Sequence, residues 1–278
     1  MNPSKIALNR IISPRLSLEE LCALAAAVGA GAVELRNDLE GVDIVDNMSP
    51  PEVVRLAEKY SLSILTINAL QHFNVAARRT ELVSELRSLL RLAAAIQCRA
   101  VVLVPHNAVD DERDEQARYQ ETVAALKAFA PYFEEAGVLG YVEPLGFPEC
   151  SLGSKLVALK AIRESGGGPF RIVHDTFHHA IGPDDNTALA TSIPAGDIGL
   201  VHVSGMEADI PLEKAKDEHR LLVTEKDRLK NYDQIKILQK IGYRGYFSFE
   251  PFSPAVQSLS RDDLEAALRK SIAELPSE

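Results

Sequence analysis

Four side chains with metal-ligand chemistry each close a short apolar run in the second half of the chain: Glu143 in GYVEP, Asp175 in RIVHD, His202 in LVHVS and Glu250 in YFSFEP. Taken singly, each has an ordinary reading. A carboxylate at a strand end caps the next helix, and a histidine inside an apolar run is often a hydrogen-bonded core group. Taken together they say more. Three carboxylates converging on one rim would repel one another unless a cation or protons neutralised them, and with an imidazole as fourth ligand one divalent ion is the natural occupant. Three oxygen donors and one nitrogen suit Zn²⁺ or Mn²⁺, and Mg²⁺ or Co²⁺ also match this donor set. Such an ion can hold the carbonyl and the neighbouring hydroxyl of a polyol ketone. It thereby lowers the cost of the enediolate left when the intervening C–H proton is removed, with a flanking carboxylate as the base.

Bringing the four together requires one ligand at the end of each of four successive strands. Short apolar runs rich in β-branched residues alternate with longer helical patterns throughout, which is the signature of repeated βα units. Eight runs are legible: Lys5–Asn9, Ala32–Arg36, Ser63–Asn68, Ala100–Pro105, Val138–Glu143, Phe170–Asp175, Gly199–Ser204 and Tyr246–Glu250. Between them lie amphipathic stretches such as SLEELCALAAAVGA, PPEVVRLAEKY and RDDLEAALRKSIAEL, with apolar residues at helical spacing. Ser17 and Ser49 precede Glu20 and Glu52 by three residues, the spacing of a capping box. The pattern predicts an α/β fold, a (β/α)8 barrel, spanning 1–278 as one domain, with the strand C-termini converging on the rim where barrel active sites sit. A doubly wound open sheet is the structural alternative. Its nucleotide-binding form loses support because NRIISPRLS follows the first run where G-x-G-x-x-G would stand. Gly166–Gly168 follows a helical pattern and precedes a strand, and reads as a helix stop.

Composition narrows the partners. Hydrophobic residues make up 46% and charged residues 25% of 278, an ordinary balance for a chain with a substantial core. The formal net charge is −10 and no lysine or arginine run forms a stripe, which opposes a nucleic-acid partner. Cys22, Cys98 and Cys150 are odd in number and widely spaced, suggesting neither a disulfide framework nor a cysteine zinc knuckle. MNPSKIALN has no basic segment followed by a signal-length apolar core, and no stretch nears membrane-spanning length. The expectation is a cytoplasmic protein without membrane contact, acting on a small molecule, with a frayed end at Pro276–Glu278.

The chain resembles the xylose-isomerase-like barrels, a group that includes sugar epimerases, hydroxypyruvate isomerases, inosose dehydratases and AP endonucleases. The stretches that carry the resemblance are INALQHFN at 67–74, VEPLGFPECSL at 142–152, HDTFHHAIG at 174–182, HVSG at 202–205 and DEHR at 217–220. Within the group it is most similar to the inosose isomerases of myo-inositol catabolism, which convert 2-keto-myo-inositol to 1-keto-D-chiro-inositol. The resemblance implies that Glu143, Asp175, His202 and Glu250 bind one metal ion, with Glu143 and Glu250 doubling as the acid/base pair on opposite faces of a keto-polyol. It also implies substrate contacts from His178, at the D-x-x-H position, and from Glu149 and Arg220. Homo-oligomers are common in the group. Asn9, Arg36 and Asn68 each end an apolar run on an earlier strand and are expected to hydrogen-bond substrate hydroxyls or to cap the following loops. His72 and His106 read as loop histidines outside the metal shell.

Two departures stand out. Relatives commonly carry an aspartate behind the seventh-strand histidine and a P-G-x-G loop after the arginine, where this chain has HVSG and HRLLVTEKD. Glu225, Lys226, Asp227 and Arg228 there read as a solvated charged face. Asp217 and His219, with His178, resemble a further zinc set of the AP endonucleases and raise the competing class of a multinuclear nuclease. A ketose 3-epimerase, a hydroxypyruvate isomerase and an inosose dehydratase are rivals within enolisation chemistry, and a non-catalytic sugar-binding barrel is the rival outside it.

Overall fold

A computed structural model describes residues 1–277. Its strands are β1 Ile6–Asn9, β2 Ala32–Arg36, β3 Ser63–Leu70, β4 Ala100–Leu103, β5 Leu139–Val142, β6 Phe170–Asp175, β7 Ile198–Val203 and β8 Phe247–Phe249. Each pairs in parallel with the next, and β8 pairs with β1, so the sheet closes into a barrel. Closure removes the open-sheet alternative. The helices are α1 Leu18–Ala27, α2 Pro50–Lys59, α3 Arg79–Ala95, α4 Glu115–Ala136, α5 Lys155–Glu164, α6 Thr176–Ile181, α7 Asn186–Ser192, α8 Asn231–Lys240, α9 Pro254–Gln257 and α10 Arg261–Glu274. The short helices α6, α7 and α9 are too brief to show a period in the sequence.

Alternation along the strands decides what reaches the centre, because successive side chains of a strand point to opposite faces. Val33, Leu35, Val142, Ile172, Val201, Phe247 and Phe249 join the apolar layer between barrel and helices. Ala7, Ala32, Val102, Tyr141, Val173 and Leu200 fill the interior. Two residues further along five of these strands the inward position carries Asn9, Glu34, Glu143, Asp175 and His202. Register then places several of these side by side: Asn9 pairs with Glu34, Asp175 with His202, and His202 with Ser248. The polar layer is a consequence of the period-2 pattern and the parallel register together.

Local signals also hold. The Ser17 hydroxyl accepts from the Glu20 amide at 3.2 Å while Glu20 Oε2 accepts from the Ser17 amide at 2.8 Å, the reciprocal satisfaction of a capping box. After α5, Gly166, Gly167 and Gly168 all take positive φ, and the Gly167 amide donates to the Ile162 carbonyl at 2.8 Å; the run is a helix stop. The end read as frayed is held: Pro276 is buried, and the Pro276 and Ser277 carbonyls accept from Gln239 and Lys236. Glu278 lies outside the described residues.

Candidate metal centre

The carboxylates of Glu143, Asp175 and Glu250 and the imidazole of His202 meet at the C-terminal mouth, their candidate ligand atoms all within 4.8 Å of one another and all four residues buried. His202 lies one residue before the end of β7, Asp175 closes β6, and Glu143 and Glu250 are the first residues past β5 and β8. His202 Nδ1 lies 2.7 Å from Glu143 Oε1, 3.2 Å from Glu250 Oε2 and 4.0 Å from Asp175 Oδ2. Asp175 serves two purposes: Oδ1 accepts from the His178 amide at 2.9 Å and caps α6, leaving Oδ2 turned to the cluster.

Burying these charges together shifts their titration. Burial pushes the Glu250 carboxyl up to about 7, with the charge of Glu143 adding to it, against the pull of His202, Arg220 and Arg36. Burial works against a charge on His202, yet Glu250, Glu34 and Glu143 together hold its pKa well above the ordinary imidazole range. Hard oxygen donors with one imidazole, buried and mutually repelling, fit a divalent ion. Binding one requires an ionised Glu250 and a free Nδ1 lone pair on His202, so protons must leave. Metal affinity should therefore rise with pH from about 6 to about 8, approaching tenfold per unit for each displaced proton. Titration calorimetry in buffers of different ionisation enthalpy should register the released protons; a pH-independent affinity without proton release would contradict this account.

The chain as a whole decides its family. The sequence profile of the xylose isomerase-like TIM barrels matches residues 22–277. The chain belongs to this family. A solved xylose isomerase domain containing protein from Salmonella typhimurium is 38% identical over 98% of this chain and 97% of its own, with a TM-score of 0.91. Two more distant folds are the IOLI protein with a zinc atom bound (21% identity, 97% of each chain, TM-score 0.87) and a D-psicose 3-epimerase solved in the presence of D-fructose (15%, 97% of each chain, 0.76). No protein of curated function matches the chain.

Around the family's barrel mouth the structure places the other expected residues unequally. Arg220 is buried, donating from Nη2 to Asp175 Oδ2 at 2.6 Å and Glu250 Oε2 at 2.9 Å and from Nη1 to Asp217 Oδ1 at 3.2 Å, with its guanidinium over the rings of Phe252 and Phe177. Arg36 donates to Glu250 Oε1 at 2.9 Å and grips Asp38 with two nitrogens. Its guanidinium also lies over Phe252. Asn9 donates to Glu250 Oε1 at 3.1 Å, and Asn68 donates to Glu34 Oε2 at 3.1 Å. Asn9, Arg36 and Asn68, expected to meet hydroxyls or cap loops, are thus hydrogen-bonded to carboxylates. Asn9 also keeps the capping role, its Oδ1 accepting from the Ile11 amide at 3.1 Å.

His178 is buried between the rings of Phe147 and Phe177, and its Nδ1 has no hydrogen-bond partner. Glu149 stands apart, lining an outer cleft of about 400 Å³ with Phe147, Lys216 and Asp217. His219 does not turn to the centre. Its Nδ1 accepts from the Lys216 amide at 3.0 Å, and among the described residues the four-ligand group is the one cluster with metal geometry, so Asp217, His219 and His178 form no further set. His72 and His106 are half-buried rather than exposed, and their Nδ1 atoms face each other at 3.1 Å. Of the charged face after β7, Glu225 and Lys226 are exposed as expected, but Asp227 accepts from the Met206, Leu229 and Asn231 amides and Arg228 donates to the Ile210 carbonyl at 2.9 Å. That pair organises the loop. A cleft of about 910 Å³ beside the mouth holds none of the four ligands, so chemistry and not volume marks the site.

Sequence reasoning missed Glu34. Fully buried at the centre of β2, it accepts from His202 Nε2 at 3.2 Å, from Asn68 and Asn9, and from the hydroxyls of Thr66 and Ser248. Burial raises its pKa, and the charge and hydrogen bond of His202 with the Ser248 and Thr66 hydroxyls more than reverse this, to about 2. The signal was available: in AVELR, Glu34 is a lone carboxylate inside an apolar strand, on the same face as Arg36. A carboxylate behind a histidine fixes its tautomer and ring orientation, which is how metal-ligating histidines are usually held.

Proposed function

We propose that the chain is a divalent-metal-dependent isomerase of a keto-polyol, with inosose as its substrate: 2-keto-myo-inositol is converted to 1-keto-D-chiro-inositol. The observation that carries this reading is the pairing of the Glu143 and Glu250 carboxylates, 2.7 and 3.2 Å from the same His202 nitrogen, in a buried, carboxylate-rich mouth. A carboxylate beside the reacting carbons can take a proton in one step and return it in the next. A second carboxylate provides the partner on the other face.

Glu143, Asp175, His202 and Glu250 would hold the ion, Zn²⁺ or Mn²⁺ by donor type. When bound, it supplies Lewis-acid charge to the substrate's oxygens. One of the two glutamates removes the proton from the carbinol carbon beside the ketone. A proton is then delivered to the former carbonyl carbon, and the carbinol oxygen becomes the new carbonyl as its own proton passes to the former carbonyl oxygen, which becomes a hydroxyl. Arg220, fixed by Ser204 Oγ at 3.1 Å and by the carboxylates of Asp175, Glu250 and Asp217, would donate to a substrate oxygen as it forms. His178, with Nδ1 free, is the further candidate for a hydroxyl contact. Glu149 would contribute only at the outer edge. The unlinked buried cysteines Cys22, Cys98 and Cys150 accord with a reducing cytoplasm as its compartment.

Incubating the protein with 2-keto-myo-inositol and Mn²⁺ or Zn²⁺ should yield 1-keto-D-chiro-inositol by NMR. Activity on a free ketose in its place would make the protein a 3-epimerase with the same proton-transfer centre. A stoichiometric ion without turnover of either would leave a sugar-binding barrel.

A further inference from the structure

The barrel end opposite the metal ligands carries a charge pattern that the reaction does not use. There the strand N-termini surround a cavity of about 430 Å³ lined by Lys5, Arg99, Arg171 and Arg244, with no carboxylate among its lining residues. In a chain of net charge −10, four cations around one concavity run against the average. None of the four makes an ion pair among the described residues. Asp197, which precedes the lining residue Ile198, is turned to Arg163 at 3.1 Å.

Three of the four cations are held in place by the protein. Arg171 Nη1 donates to the Phe170 carbonyl at 2.6 Å, Arg244 Nη1 to the Tyr243 carbonyl at 2.9 Å, and the Lys5 ammonium lies 5.3 Å from the centre of the Tyr246 ring. Each arginine keeps donors unused by protein.

A second, independent feature points to a ligand. Tyr141 also lines the cavity and is 1% exposed; its buried hydroxyl neighbours the Arg99 guanidinium, which can only donate, and its own proton meets no acceptor in the protein. A buried polar atom left unpaired is rare in folded proteins and asks for a partner from outside the chain. The ring reaches this position because residue 199 is glycine: a Cβ there would come within 2.4 Å of it. A partnerless donor and four uncompensated cations therefore share one cavity.

We infer that this cavity binds a small phosphorylated molecule, its phosphate held by Arg99 and Arg171 and reached by the Tyr141 hydroxyl. Guanidinium forks match phosphate oxygens in pairs, and a volume of this size suits a small metabolite. A nucleic-acid strand fits less well, because the surrounding surface of an acidic protein repels a long polyanion. The site lies on the strands of the reaction centre: Tyr141 is two residues before Glu143, Arg171 four before Asp175, and Gly199 three before His202. That is roughly 7–13 Å along a strand.

Inorganic phosphate is the probe, titrated by calorimetry into the full chain at low salt. Binding in the low-millimolar range or tighter is expected, weakening as chloride is raised. Arg99→Gln combined with Arg171→Gln should weaken it by about tenfold or more, as expected for charge-assisted hydrogen bonds. Arg99 is exposed and Arg171 half-buried, so the fold should survive; a far-UV spectrum checks it, and Tyr141→Phe tests the same contact without changing charge. Phosphate binding unaltered by the paired substitution, or no stronger than that of chloride at equal ionic strength, would overturn the site. So would an oligonucleotide that binds more tightly than phosphate through the same two arginines, since it would assign this face to nucleic acid.

Discussion

Glu143→Gln should lower turnover of a keto-polyol by at least about 10³-fold while leaving the far-UV spectrum unchanged. The substitution keeps the side chain's volume and one oxygen, so packing beside the fully buried His202 survives. What it removes is the ability to accept a proton and the negative charge that faces His202 Nδ1 at 2.7 Å. General acid–base catalysis contributes roughly 10²–10⁴ in rate, and weaker ion binding adds to the loss. Metal content measured on the same sample separates the two contributions: an ion retained at saturation with turnover abolished assigns the proton transfer to Glu143. Glu149→Gln is the comparison, because Glu149 lines the outer cleft and touches none of the ligands; its effect should fall on KM. Turnover retained in Glu143→Gln at saturating metal would remove Glu143 from the acid/base pair.

The clustering of Glu143, Asp175, His202 and Glu250 was legible because each sits where a strand-like run stops, and in a parallel barrel the strand ends meet on one rim. The same alternation sorts the histidines. His174, next to Asp175, faces outward to Gln234 at 3.0 Å, whereas His202 faces inward. What sequence could not supply was the identity of partners across the barrel. Asn9, Arg36 and Asn68 were placed on the correct rim, but whether they meet a substrate or a carboxylate depends on Glu34 and Glu250, 25 and 241 residues from Asn9. Loop conformation was equally hidden: nothing in the spacing of Glu149 from Glu143 says that the chain turns it toward Asp217. The cationic cavity escaped notice for a related reason. Its four cations are scattered from position 5 to position 244 and form no run in a chain whose average charge is acidic.

Glu34→Gln tests the part of the centre that sequence reasoning passed over. Glu34 touches no candidate position for the ion; its contact is His202 Nε2, on the far side of the ring from the cluster. As a carboxylate it accepts from the imidazole, two amides and two hydroxyls at once. This leaves Nδ1 as the nitrogen that faces the ligands. Glutamine preserves the shape but offers one acceptor oxygen and introduces an NH₂ group among donors, so either His202 or a neighbouring hydroxyl loses its acceptor. Loss of such a supporting carboxylate typically lowers metal affinity about 10–100-fold. The expected result is that decrease in Zn²⁺ or Mn²⁺ affinity by competition with a chelator, together with a shift in the pH dependence of binding, because Glu34 is one of the charges that hold the His202 proton. Glu34→Ala should be worse for a different reason: it leaves several buried donors unpaired, each at about 1–3 kcal/mol, and should lower the melting temperature as well. An unchanged affinity and pH profile in Glu34→Gln would mean that the ring is oriented by β7 and its packing alone, and that the carboxylate behind it serves only the fold.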